Sequence, residues 1–247
     1  MNQKSLPDKL KEDAIVEAVF EMRFEMPVLP ELLFGRLVDT PSWRKFEQRR
    51  LPAYDIPAVM RQADENLRYQ AVFELSDGVE KRSIRLGPQV LSYHQYPPYP
   101  GWSRFEPSLH EAIEVLFAKS ENLHIRRLGL RYLNAFCPEL HGIRGIPDID
   151  ASIIVSGETI SDTMNLNYTK KVATDVTARV MIATPDFVRG PLPPSTSLYV
   201  DVDVFTNEGY RATEVKTIKQ WLTSAHQQEK VSFFGVLTET KIQELKK

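Results

Sequence analysis

Two aspartates one residue apart, Asp201 and Asp203 in "LYVDVDVF", have the type and spacing to do chemistry. Side chains alternate along a strand, so both carboxylates stand on one face, about 6.5–7 Å apart. Oxygen ligands that close can hold Mg²⁺ for phosphoryl or nucleotidyl transfer. The plainer reading puts Leu198, Val200, Val202 and Val204 in the core and both aspartates in water. No phosphate-cradling Gly-Ser turn precedes the pair, and no third acid is clearly placed. The Mg²⁺-dependent transferase therefore stands as an alternative, and the main reading assigns no catalytic residue.

The strand-like string "LHIRRLGLRYLN" carries Arg127 and Arg131. Strict alternation places them on one face with Leu123, Ile125, Gly129 and Leu133, a mainly apolar side. A guanidinium there is costly unless paired. Glu17 and Glu21 of the first strand are the expected partners. The structural reading is an ion-pair network, and the functional one is a pair of forks receiving an anionic ligand or an acidic partner.

A basic stretch, "WRKFEQRR", sets Arg44, Lys45, Arg49 and Arg50 against Glu47, with Trp43 and Phe46 interleaved. Such a patch can touch nucleic acid through phosphate contacts and base stacking. A solvated helix face with its two rings tucked inward is the commoner explanation. The five histidines stand far apart, without H-E-x-x-H or a cysteine partner, so neither metal nor cofactor is expected. His226 has no identifiable nucleophile near it. Neither a P-loop, a dinucleotide-binding glycine pattern nor a nucleophile elbow is present.

The most distinctive string is "HQYPPYPGW", residues 94–102. Its prolines favour extended backbone, and Gly101 can take a conformation closed to other residues. Ser103 followed by Glu106 fits a capping box, with Trp102 packing on Pro107 as a hydrophobic staple. The whole string thus makes a stiff strand-to-helix corner. The competing view is an exposed platform of Tyr96, Tyr99 and Trp102 that grips a partner.

The elements that must position these residues follow from periodicity. Residues 14–25, "AIVEAVFEMRFE", alternate for a dozen positions and predict a long antiparallel strand. A helix is predicted from Pro30, broken at Pro41 and resumed after it. Strands are predicted at 66–75, 79–86 and 89–96, separated by turn chemistry, then a helix at 103–119 and a strand at 123–136. "PELHGIRGIPDID" (138–150) is the best candidate boundary. Strands near 151–157, 162–169, 175–184 and 196–206, a helix at 211–229 and a shorter one at 237–246 complete the second half. The expectation is α+β, with two lobes of mainly antiparallel sheet, 1–140 and 141–247, each under a long covering helix. One continuous domain fits the same pattern, and a degenerate duplication is allowed without residue-level proof.

The 247 residues have an ordinary composition and a formal charge of −2, which argues against a dedicated nucleic-acid or anionic-membrane binder. One cysteine, Cys137, cannot form an internal disulfide, which fits a reducing compartment. The N-terminal "MNQKSLPDKLKEDAIVEAVF" lacks a signal-peptide h-region, and no apolar run approaches the ~18 residues of a membrane span. A cytoplasmic protein is expected.

The strings "AIVEAVFEMRF", "LGPQVLSYHQYPPYPGW" and "RLGLRYLN" resemble an uncharacterised, sporadically distributed prokaryotic family of about this length. The resemblance covers most of the first 136 residues and extends loosely to "LYVDVDVF" and "FFGVLTE". It implies no established activity. Its patchy distribution suits mobile gene neighbourhoods such as toxin–antitoxin or phage-defence modules. The leading expectation is a non-enzymatic, partner-binding or regulatory protein whose partner is another protein, encoded by a neighbouring gene. A ligand-binding module with a cavity between sheet and helix is the second reading.

Overall fold

In the computed structural model of the chain, residues 6–7, 9–26 and 29–246 are described. The N-terminal string read for a leader, residues 1–20, falls outside that set at residues 1–5 and 8.

The first strand, β1 (Ile15–Glu25), forms as its alternation dictates: Ala18, Phe20, Met22 and Phe24 are fully buried on one face. After it come α1 (Pro30–Val38), a short edge strand β2 (Glu47–Arg50), two short helices α2 (Ala58–Ala63) and α3 (Glu65–Arg68), and a meander of β3 (Phe73–Asp77), β4 (Arg82–Gly87) and β5 (Val90–Gln95). A long helix, α4 (Trp102–Lys119), closes this half. The second half runs β6 (His124–Phe136), α5 (Pro138–His141), a small hairpin β7 (Ile154–Val155) and β8 (Glu158–Thr159), then β9 (Asn165–Ala173), β10 (Val176–Ala183), β11 (Leu198–Thr206), α6 (Val215–Phe234) and α7 (Glu239–Leu245).

Nine strands make one antiparallel sheet in the order β2-β3-β4-β5-β1-β6-β11-β10-β9. Its centre is the β1–β6 pairing, in which Phe20 faces Leu130 and Met22 faces Leu128. Each half therefore repeats one topology: a first strand, an insertion, a three-strand meander whose last strand pairs with the first, and a long helix. The two predicted lobes are halves of one sheet, and a single large hydrophobic cluster runs through both. The class is α+β.

Helices α1, α4 and α6 cover one face of the sheet. Leu109, Ile113 and Leu116 of α4 and Ile218, Leu222 and Ala225 of α6 are buried there, and Phe233 stacks on Phe136 of β6 at 5.9 Å. Each large apolar side chain buried in this layer contributes about 1.5–3 kcal/mol. Among the described residues no long helix covers the other face.

Three local expectations change. The helix predicted to resume after Pro41 is a turn followed by β2, because its four residues pair with β3. The strand predicted from residue 66 begins only at Phe73, since Asp64 accepts a hydrogen bond from the Asn66 backbone and starts α3 instead. The capping box does not form either. Helix α4 starts one residue early, with Gly101 at its N-cap and no side-chain cap. Gly101 sits at φ +86°, ψ 156°, a region that costs any other residue about 1–3 kcal/mol. Gly101→Ala should lower the urea unfolding free energy by about that amount. A neutral result would show that the corner does not depend on this backbone conformation.

Candidate functional site

The uncovered face presents Glu17, Val19, Glu21 and Arg23 of β1 between Arg127, Gly129 and Arg131 of β6 and Ser92 and His94 of β5. Strict alternation would have put Leu123 and Ile125 beside Arg127. A β-bulge intervenes: Arg23 pairs with Arg127 but Phe24 pairs with Ile125, so Arg126 is the extra residue. Ile125 thus turns into the core while Arg127 stays on the open side. The arginines therefore stand on a polar face, not the mainly apolar one that the spacing suggested.

Across β6 and β11 the pairing continues. Arg131 grips Asp201 with both nitrogens of its fork, Nε at 2.8 Å from Oδ1. Arg127 donates to Glu21 at 2.7 Å and lies 3.5 Å from Asp203, with its guanidinium 4.7 Å above the Phe205 ring. Arg179 of β10 donates to Asp203 from the far side at 3.2 Å. Glu21 also accepts from Arg23 at 2.8 Å. Gly129 keeps this site open: a Cβ there would stand 2.9 Å from the Arg127 guanidinium and 3.6 Å from Asp203.

On the other side of β1, Glu74 accepts from Arg49 and Arg85, and Arg85 reaches the Tyr96 hydroxyl at 2.9 Å. Burial pushes the Glu74 carboxyl up, but the two guanidinium hydrogen bonds outweigh it and hold the group below its ordinary value. Glu17 behaves alike: burial raises it, and the His94 hydrogen bond with the charges of His94, Arg85 and Arg131 more than offsets the rise. Asp203 goes the other way, since burial raises it further than Arg127 and Arg179 bring it down.

Ser92, His94 and Glu17 form a chain of hydrogen bonds, 2.8 Å from Ser92 Oγ to His94 Nε2 and 2.7 Å from His94 Nδ1 to Glu17. This is the order of nucleophile, base and orienting acid. The described residues around it do not make such a site. Ser92 is 8 % exposed, lines none of the main cavities, and sits in the middle of a paired strand whose backbone groups serve the sheet ladder. The chain ties β5 to β1.

One asymmetry organises the face. In three of the pairs the carboxylate lies at the bottom and the guanidinium on top, while Glu21 and Arg127 are about equally exposed. Side chains of Glu74, Asp201 and Asp203 are 2 %, 5 % and 10 % exposed, whereas those of Arg49, Arg131 and Arg179 are 59 %, 40 % and 42 % exposed. An arginine fork has five N–H donors, and one carboxylate uses two. Arg49, Arg131 and Arg179 therefore turn spare donors outward. A depression of about 230 Å³ over the centre is lined by Arg23, Arg127, Arg131 and Arg179 together with Glu21 and Asp203. A second of about 460 Å³, lined by Arg126 and Arg211 with Glu25 and Glu208, shares Arg23 and Arg127 with it.

Asp201 and Asp203, weighed as Mg²⁺ ligands, are committed to guanidiniums. They are not in water, as the plainer reading had them, but buried beneath those partners. Among the described residues no three His, Cys, Asp or Glu side chains stand together as metal ligands. Trp43 and Phe46 are buried, Arg49 is held by Glu74, and Arg50 lies over the Tyr54 ring at 4.3 Å, so the basic stretch offers no exposed ring for base stacking. The residues of the 94–102 corner separate. Tyr96 lies half-buried on the open face beside Arg85. Tyr99 turns to the helix side, where its hydroxyl meets Tyr132 at 2.9 Å, and Trp102 stacks on His226 at 3.8 Å.

Sequence reading missed Arg85, Arg179, Glu74 and Glu229. The signal for Arg179 was present: it alternates against Ala178, Val180 and Ile182. Glu229 interrupts the apolar stripe Ile218, Leu222, Ala225 and Phe233 of α6, which marks it as a buried charge. No helix among the described residues is long and apolar enough to cross a membrane. No protein-family model matches this chain, and no curated protein matches it.

Proposed function

We propose that this protein is a non-enzymatic binding protein whose open sheet face receives an acidic protein partner. The supporting observation is the burial order of the ion pairs, with acids at the base and guanidiniums outward. A chain with net charge −2 thereby offers one face rich in hydrogen-bond donors suited to carboxylates. Electrostatic complementarity of this kind chiefly sets specificity and association rate. The partner fits the expectation of a protein encoded beside this one. Arg23 and Arg179 are the best probes, because Glu21 and Asp203 each keep Arg127 when either is removed.

The test is capture of the neighbouring gene product by the wild-type chain and by Arg23→Ala/Arg179→Ala. The expected result is an acidic partner held by the wild type, released by salt, and bound at least tenfold more weakly by the variant. Equal capture by both proteins, or capture that salt does not weaken, would overturn the assignment.

A further inference from the structure

On the opposite side of the sheet a cavity of about 80 Å³ opens where α6, β6, the start of α4 and the segment before β1 meet. Its walls include Tyr99, Tyr132, Trp102, His226 and Phe233, and Glu229 lines it from α6. Glu229 is 5 % exposed, and apart from the charge of its neighbour Lys230 its carboxyl is held by no hydrogen bond or ion pair among the described residues. A buried carboxyl without a partner is costly, and a cavity-lining one is where a ligand group can satisfy it.

We propose that this cavity binds the head of an organic ammonium ion, with Glu229 as counter-ion and the surrounding rings as a cation–π wall. Two features select a cation. The wall is aromatic, with the Trp102 and His226 rings stacked at 3.8 Å and those of Tyr99 and Tyr132 edge-on at 5.7 Å. Ring faces attract a cation within about 6 Å of their centres. The second is the Tyr99–Tyr132 hydroxyl pair, hydrogen-bonded at 2.9 Å, whose remaining oxygen lone pairs accept from an ammonium N–H. The volume lies between the ~30 Å³ share of one water and the ~150 Å³ that holds benzene, so it takes a head group and not a whole ring.

Ionisation of Glu229 gives the proposal its signature. Burial raises its carboxyl to about 8, so it is protonated in the free protein at neutral pH. A cation must displace that proton, and its apparent affinity climbs as pH rises towards 8. A neutral hydrogen-bond acceptor would show the reverse. The other groups facing the cavity are Lys9 and Asp13 from the segment before β1, Tyr99 from the corner, Tyr132 from β6, and His226 and Lys230 from α6. Their contributions persist in Glu229→Gln, which makes that variant the control.

Calorimetric titration with n-butylammonium chloride tests the proposal. The same titration with Nα-acetyl-lysine amide distinguishes a free amine from a lysine side chain as the source. An apparent association constant rising by up to about tenfold per pH unit between about 6 and 8, lost at least tenfold in Glu229→Gln, is expected. Binding of 1-butanol as tight as that of the amine, an unchanged Glu229→Gln, or no heat from either amine at millimolar concentration would overturn it. The cavity is independent of the open face, so failure here leaves the acidic-partner reading untouched.

Discussion

Glu229→Gln is expected to stabilise this protein, and to do so more as the pH rises. Burial moves the carboxyl of Glu229 from the ordinary 4.5 to about 8 in the fold, with only the charge of Lys230 opposing it. The folded state therefore keeps a proton that the unfolded chain releases. Its contribution is fully present below about pH 4.5 and is lost as pH climbs through about 8. Glutamine keeps the shape and cannot ionise. The gain over wild type should be small near pH 5, grow by about 1.4 kcal/mol per pH unit, and level off above pH 9 at about 4–5 kcal/mol. Urea unfolding of both proteins across this range measures it. A gain that does not change with pH would mean that Glu229 titrates normally, and the carboxyl would then not be dry.

Arg131→Ala is expected to destabilise by about 2–4 kcal/mol at neutral pH. Asp201 is almost wholly buried, and Arg131 is its one charged partner within ion-pair distance among the described residues. Removing the guanidinium leaves an uncompensated charge, which costs more than the pair itself is worth. The exposure of Arg131 lets water reach the gap, which keeps the loss below that of a fully buried pair. Adding Asp201→Asn should recover most of it, with a coupling of at least about 1 kcal/mol in the double-mutant cycle. Additive losses would show that the two side chains do not support each other. Arg179→Ala should cost far less, since Arg127 remains on Asp203.

How much of this was legible in sequence depended on whether a residue's environment is local. The twelve-residue alternation of β1 located its core face because that signal is carried within the strand. The β6 face was misassigned at its start for one reason: a single extra residue, Arg126, reverses the side of everything before it, and a bulge has no signature in "HIRR". Glu17 and Glu21 were singled out as arginine partners. Glu21 does hold Arg127, but Glu17 holds His94, and Arg131 turns to Asp201, because choice of partner depends on strand order. That order, which joins the two halves through β1 and β6, is long-range. The capping box at Ser103 lost to Gly101, whose backbone starts the helix one residue sooner.

The binding face itself was half visible. Arg127, Arg131, Asp201 and Asp203 stood out by type and spacing, yet the alternation that marks them cannot say which charge ends up below and which above. That vertical order carries the proposal. Its most direct measurement is a titration of the wild-type chain with tetraglutamate, followed by NMR of the arginine Nε–Hε groups. Shifts should appear at Arg23, Arg127, Arg131 and Arg179 and fade with added salt. Shifts confined to arginines outside the open face, such as Arg36 and Arg104 on α1 and α4, or none at all, would contradict the acidic-partner face.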